Sequence, residues 1–141
     1  MPPEAQRLKR LQRLERVRAI ARQAAAREAA EAESSRAQLA ALADRTGRLA
    51  ADYAARRGAA DGAALRQLGQ FAEGLARIHT ATTLEAERAR GHADGKLAAL
   101  GEAERRRAAV EERAQATARD LTRGRQVPVL VGRRPSGTGL E

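Results

Sequence analysis

RRGAADGAA, residues 56–64, decides the fold. No proline interrupts residues 4–127, so a break in the long helical pattern must come from glycine. Here Gly58 can take the left-handed conformation that ends a helix, and Asp61 can cap the next one. The stretch therefore predicts a turn at about 57–61 between a first helix over about 4–56 and a second over about 62–123. At about 1.5 Å per residue both helices are roughly 80 to 90 Å long, and similar lengths suit an antiparallel pairing that brings the termini together. The expected fold class is all-α: a long antiparallel two-helix coiled-coil hairpin, residues 1–123, followed by a disordered basic tail, 124–141.

Working outward from the turn, the first helix starts after Pro2 and Pro3, where proline is tolerated and Glu4 suits the helix N-terminus. Its apolar residues recur at Leu8, Leu11, Leu14, Val17, Ala21 and Ala24, and again at Leu39, Leu42, Thr46, Leu49 and Tyr53. The two blocks are out of phase by about four residues, which reads as a stutter across the Ala-rich middle. On the second helix one stripe runs through Leu68, Phe71, Leu75, Ile78, Thr82, Ala86, Ala89, Ala93, Leu97 and Leu100. Gly69, Gly74, Gly91, Gly95 and Gly101 lie inside that helix, each costing about 1 kcal/mol against Ala, so it is expected to bend or flex. After Thr122 the helical period stops. VPVLV, residues 127–131, could add as a strand to a partner's sheet edge.

Composition agrees with helices that pack closely. Of the 141 residues 43% are apolar, but 35 residues are Ala, whose methyl groups bury little area and suit a tight helix–helix seam. There is no Cys, so no disulfide staples the fold and a cytosolic setting is expected. No segment reaches the 18 or so apolar residues of a membrane span, and MPPEAQRLKR lacks the apolar core of a secretion signal.

Little in the chain points to catalysis. His79 and His92 are 13 residues apart, almost four turns, which excludes shared metal ligation on one helix. Each reads as a surface or seam side chain. The pairs Glu85 and Glu87, Glu102 and Glu104, and Glu111 and Glu112 face different directions and read as a solvated surface. RGHADGK is too polar for its Gly91–Gly95 spacing to mark a membrane dimer. No glycine-rich loop follows a strand, so no nucleotide-binding loop is expected. The expectation is a protein without catalytic residues, metal or cofactor.

The net charge of +9 is concentrated at the two ends: residues 1–27 carry eight Arg and Lys against two Glu. RLKRLQRLERVRAIAR, residues 7–22, allows three readings. It is a solvated coiled-coil face, a docking surface for an acidic protein, or a helix that binds nucleic acid or an anionic membrane. No aromatic residue lies in it to stack on bases or anchor at a bilayer, which weighs against the third.

Two segments, AQLAALADRTGRL (37–49) and ALRQLGQFAEGLARIHTAT (64–82), flank the turn, and with the leucine pattern and the single Phe beyond the turn the chain resembles the FliJ family of flagellar type III export proteins. The likeness covers residues 4–123. Members of that family are small cytosolic coiled-coil hairpins similar in shape to the rotor stalk of rotary ATP synthases. The resemblance implies that the end holding both termini enters the hexameric ring of the flagellar export ATPase and promotes its assembly and hydrolysis. It also implies that the loop-side half contacts the cytoplasmic domain of the export gate, and that chaperones of export substrates are handled. Carried onto this sequence, the gate contact falls on Gln38, Leu42, Arg45, Leu49, Phe71, Leu75, Ile78 and Thr82. Arg45 and Leu49 stand where relatives carry tyrosines. On this resemblance a cationic stalk tip, with Arg7, Lys9, Arg10 and Arg13, would meet acidic loops of the ring. The implied location is cytoplasmic, peripheral to the inner-membrane face of the flagellar basal body. The alternative is a basic coiled-coil module that binds nucleic acid or anionic membrane through its N-terminal helix.

Overall fold

The computed structural model describes the backbone of residues 2–56 and 61–131 and the side chains of 2–56 and 61–125. It contains two helices, α1 (Pro3–Ala55) and α2 (Gly62–Val131), and no strand among the described residues.

Local chemistry accounts for the helix ends. Pro3 opens α1, and the Pro2 carbonyl accepts hydrogen bonds from the amides of Ala5 and Gln6 at 3.1 and 3.3 Å. At the other end the Arg56 amide donates to the Tyr53 carbonyl at 3.3 Å, a tightened last turn. Asp61 caps α2 as its sequence predicts: its Oδ1 accepts from the Ala64 amide at 2.7 Å and its carbonyl from the Leu65 amide at 3.1 Å. Asp61→Ala is expected to lower stability by about 1 kcal/mol, read as a shifted urea midpoint with unchanged slope. Gly58 and most of the expected turn lie outside the described residues. The backbone of α2 is helical through Val131, past the expected end at Arg123 and through VPVLV. The remainder of the expected tail, 132–141, also lies outside the described residues.

The chain forms two compact units. In the loop-side unit, Ala24–Leu100, the helices run antiparallel: as numbers rise along α1 they fall along α2, so that Glu28 meets Lys96, Thr46 meets Thr82 and Tyr53 meets Phe71. The seam on α1 follows Ala25, Ala29, Ala32, Arg36, Leu39, Ala43, Thr46, Ala50 and Tyr53, alternating by four and three. On α2 it follows Leu68, Ala72, Leu75, His79, Thr82, Ala86, Ala89, Ala93, Lys96 and Leu100. Among the described residues of this unit, Ala32, Thr46 and Ala93 alone are buried outright. Alanine lets the two backbones approach, while Arg36 and Lys96 cover the seam with their stems and keep their charged ends outside.

The unit that joins the first 23 residues to those from Gly101 onward has a seam of its own. It holds Leu8, Leu11, Glu15, Arg18 and Arg22 on α1, and Ala103, Arg107, Val110, Ala114, Thr117 and Leu121 on α2, with Val110 and Ala114 buried. Arg22 pairs with Glu104 at 3.5 Å. The Nε atoms of Arg18 and Arg107 are shielded from solvent without a partner, which makes this an expensive seam for its size.

This arrangement divides the sequence stripes between seam and flank and overturns the expected stutter. The stripe through Leu14 and Val17 is not seam: Leu14 is 37% and Val17 59% exposed, and Ala21 and Ala24 are exposed as well. On α2 the stripe positions Phe71, Ile78 and Leu97 give way to Ala72, His79 and Lys96. The stutter is absent from α1, where half-buried positions keep alternating by three and four from Leu8 to Tyr53. Both apolar blocks contain two neighbouring rows at helical spacing, and the close contact selects the row with the smaller side chains.

Candidate docking edge

Each seam position on a helix has a neighbour on either side. On α1, Leu42 and Leu49 immediately precede the seam residues Ala43 and Ala50 and so flank the seam on one side; Ala40, Gly47 and Ala54 flank it on the other. On α2 the corresponding neighbours are Phe71 and Ile78, opposed by Gly69, Ala76 and Thr83. Two antiparallel helices are exchanged by a twofold rotation normal to their common plane, so equivalent flanks share one edge. The aromatic pair fixes this placement: Phe71 meets Tyr53, one turn beyond Leu49, edge to face with ring centroids 4.7 Å apart.

Near the turn the two edges therefore differ. One presents Leu42 and Leu49, each 40% exposed, with Phe71 at 52% and Ile78 at 51%. The other carries small side chains near the turn; farther along, Glu33, Arg36, Arg90 and Asp94 surround an open groove of about 430 Å³, and beyond it Leu97 is 64% exposed. There Arg36 Nε donates to both Glu33 carboxylate oxygens at 2.9 and 3.0 Å, which holds the Glu33 carboxyl below its ordinary range. The apolar edge ends at Glu85 in one direction. In the other it ends at Arg56, whose guanidinium lies over the Tyr53 ring at 4.0 Å.

Of the eight residues expected at the gate contact, Leu42, Leu49, Phe71 and Ile78 form this edge. Gln38 and Arg45 are exposed, one turn to either side of Leu42, and border it. Leu75 and Thr82 lie half-buried in the seam beneath it. The sequence stripe merged flank and seam, and Tyr53 and Arg56 complete the edge as a support that the expected set omits.

Beneath the edge the seam is polar. His79 Nδ1 donates to the Ala43 carbonyl at 3.0 Å, which defines its tautomer, and Thr46 and Thr82 bring their hydroxyl oxygens to 3.0 Å. Each hydroxyl also reaches a carbonyl of its own helix at 3.0 Å, Ala43 for Thr46 and His79 for Thr82. Each hydroxyl has one proton, so the contact between them uses one that a carbonyl would otherwise receive. The ring fits because position 47 is glycine: a Cβ there would stand 2.9 Å from His79 Cε1 and 3.1 Å from Nδ1. Sequence reading identified His79 as a surface or seam residue but gave no signal for its dependence on Gly47, which is 32 positions away.

Two opposing effects decide the outcome of Gly47→Ala. Helix propensity favours Ala by about 1 kcal/mol, whereas displacing the imidazole costs its cross-helix hydrogen bond and about 1–3 kcal/mol of overpacking. Gly47→Ala is expected to destabilise the wild type by about 1 kcal/mol and to stabilise a His79→Ala background by a similar amount. Urea denaturation of the four proteins checks the change of sign.

In the terminal unit Arg7, Lys9, Arg10 and Arg13 are all exposed. None has a carboxylate within 4 Å among the described residues. Among the described residues no group of His, Asp and Glu is arranged to hold a metal ion, and no helix is long and apolar enough to cross a membrane. No family model, curated protein or solved structure matches the chain.

Proposed function

We propose that the protein is a non-enzymatic coupling component of the flagellar type III export apparatus. It binds the export ATPase ring as a rotor-like stalk through its terminal unit and the cytoplasmic domain of the export gate through its loop-side unit. The observation that carries this reading is the one-sided apolar edge of Leu42, Leu49, Phe71 and Ile78, four large side chains left 40–52% exposed while alanines fill the seam. An exposed apolar row of this kind, with an aromatic residue and bordering polar side chains, has the make-up of a binding hot spot. Further support comes from the family likeness of the segments that carry the edge, and from the exposed cations Arg7, Lys9, Arg10 and Arg13 of the terminal unit, which suit an acidic ring lining. In this reading the protein works in the cytoplasm at the inner-membrane face of the flagellar basal body, where it also meets export-substrate chaperones.

The test is the ATP turnover of the export ATPase with and without the protein. Wild type is expected to raise turnover, and reversing the charges of Arg7, Lys9, Arg10 and Arg13 is expected to remove the effect. If wild type leaves both turnover and hexamer assembly unchanged, the reading fails. The same exposed cations favour the second reading, a nucleic-acid or anionic-membrane module, and that reading predicts binding that weakens steeply with salt.

A further inference from the structure

The outward face of α1 in the terminal unit contains more than charge. Leu14, Val17 and Ile20 are 37, 59 and 67% exposed: Leu14, immediately before the seam residue Glu15, flanks the seam, and successive steps of three residues carry Val17 and then Ile20 round to the side opposite the row of Leu11, Glu15 and Arg18. Arg7, Arg10 and Arg13 approach the same outward face from the N-terminal side, with Lys9 and Arg16 along its margin, and all five are exposed. None of the five has a carboxylate within 4 Å among the described residues. The acids of this segment lie elsewhere: Glu15 is half-buried in the seam, and Glu4 lies one turn before Leu8 in the same row. The outer face is thus uniformly cationic around an aliphatic centre.

We infer that Leu14, Val17 and Ile20 are the anchors of a second docking surface, whose occupant is a protein surface with an apolar socket beside carboxylates. Charge complementarity selects acids in the partner, and the aliphatic centre separates this surface from one read by phosphates alone, which would gain nothing from Val17 and Ile20. The inference rests on the coupling reading, since it specifies how the terminal unit grips the ATPase. The cations draw the partner in and set orientation, while the aliphatic residues, buried on contact, slow its departure.

Turnover of the export ATPase is measured against added full-length protein, as wild type and as Val17→Ser/Ile20→Ser, at low and high salt. Thermal unfolding of both forms and of the seam variant Leu121→Ala is followed alongside. The variant is expected to need at least about ten times more protein for half-maximal stimulation and to lose more of its effect at high salt than wild type does. Its unfolding midpoint should fall less than that of Leu121→Ala, because both side chains are more than half exposed. If wild type itself fails to stimulate, the coupling reading falls and takes the inference with it. Stimulation by wild type and variant alike overturns the inference alone. So does a variant whose midpoint falls as far as that of Leu121→Ala, which would return Val17 and Ile20 to the seam. Vesicles of phosphatidylcholine and phosphatidylglycerol, 70:30, supply the last arm. Binding to them that the variant loses while its ATPase stimulation stays intact would assign the face to a bilayer and overturn the inference.

Discussion

Replacing Phe71 and Ile78 together by alanine is expected to weaken binding of the export-gate domain by at least about 100-fold while leaving the protein helical. The two side chains are half exposed, so each truncation forfeits about half of the transfer free energy of a buried residue, about 1 kcal/mol. Phe71 also gives up its edge-to-face contact with Tyr53, about another 1 kcal/mol. The cost to stability is therefore about 3 kcal/mol. The loss in binding, about 2.7 kcal/mol or more, is of similar size, because the exposed half of each side chain is the part a partner's pocket would desolvate. Leu121→Ala, a half-buried seam residue of the terminal unit, supplies a control of comparable destabilisation away from the edge. Titration calorimetry should find its affinity for the gate domain unchanged.

Alanine at Gly69, Gly74, Gly91 and Gly95 is expected to raise stability by about 4 kcal/mol. All four lie within α2 without positive φ, and a Cβ built at any of them meets nothing within 4 Å. The gain comes chiefly from the unfolded chain, which loses conformational freedom that glycine allows, and for sites on the outer face the increments should add. The midpoint of thermal unfolding should rise by roughly 10 to 20 °C, as circular dichroism would detect. Gly47 marks the contrast, since the same substitution there is expected to destabilise. The stabilised background also permits the Phe71 and Ile78 variants to be compared with their parent while fully folded.

Four interior glycines with nothing against them are a cost that packing does not require. Together with seams in which, among the described residues, only Ala32, Thr46, Ala93, Val110 and Ala114 are buried, they make helices whose own contacts leave much apolar surface uncovered. A partner that binds only the folded form stabilises it by mass action, so docking and folding are coupled energetically in such a molecule.

The two helix starts were legible because single residues set them, whereas the end of α2 lies at Val131 and not at Arg123. Pro3 opens α1 and Asp61 caps α2 through chemistry confined to three or four neighbours. Seam phase was less legible. Leu39, Leu42, Leu49 and Tyr53 belong to two adjacent rows, and a periodicity argument ranks rows by apolar content. Backbone approach instead favours Ala43 and Ala50, and the leucines beside them become flank. The same substitution of small for large places Ala72 in the seam and Phe71 outside it. In a two-helix unit no third layer covers what the seam omits, so the apolar residues that lose the seam are the ones available to a partner. Hence the two apolar stripes, which left seam and partner contact open, together contained the four edge residues. The polar layer of Thr46, His79 and Thr82 was the least legible part: its bonds join positions 33 and 36 residues apart, and only the paired helices bring them together.

The most direct measurement of the central claim is site-specific photocrosslinking in the presence of the export-gate domain. A benzophenone side chain at position 71 probes the apolar edge, and one at position 83 probes the opposite edge of the same unit. Crosslinking to the gate domain from position 71, with none from position 83, is the predicted result. Equal crosslinking from both positions, or none from position 71, would contradict the assignment of this edge as the docking surface.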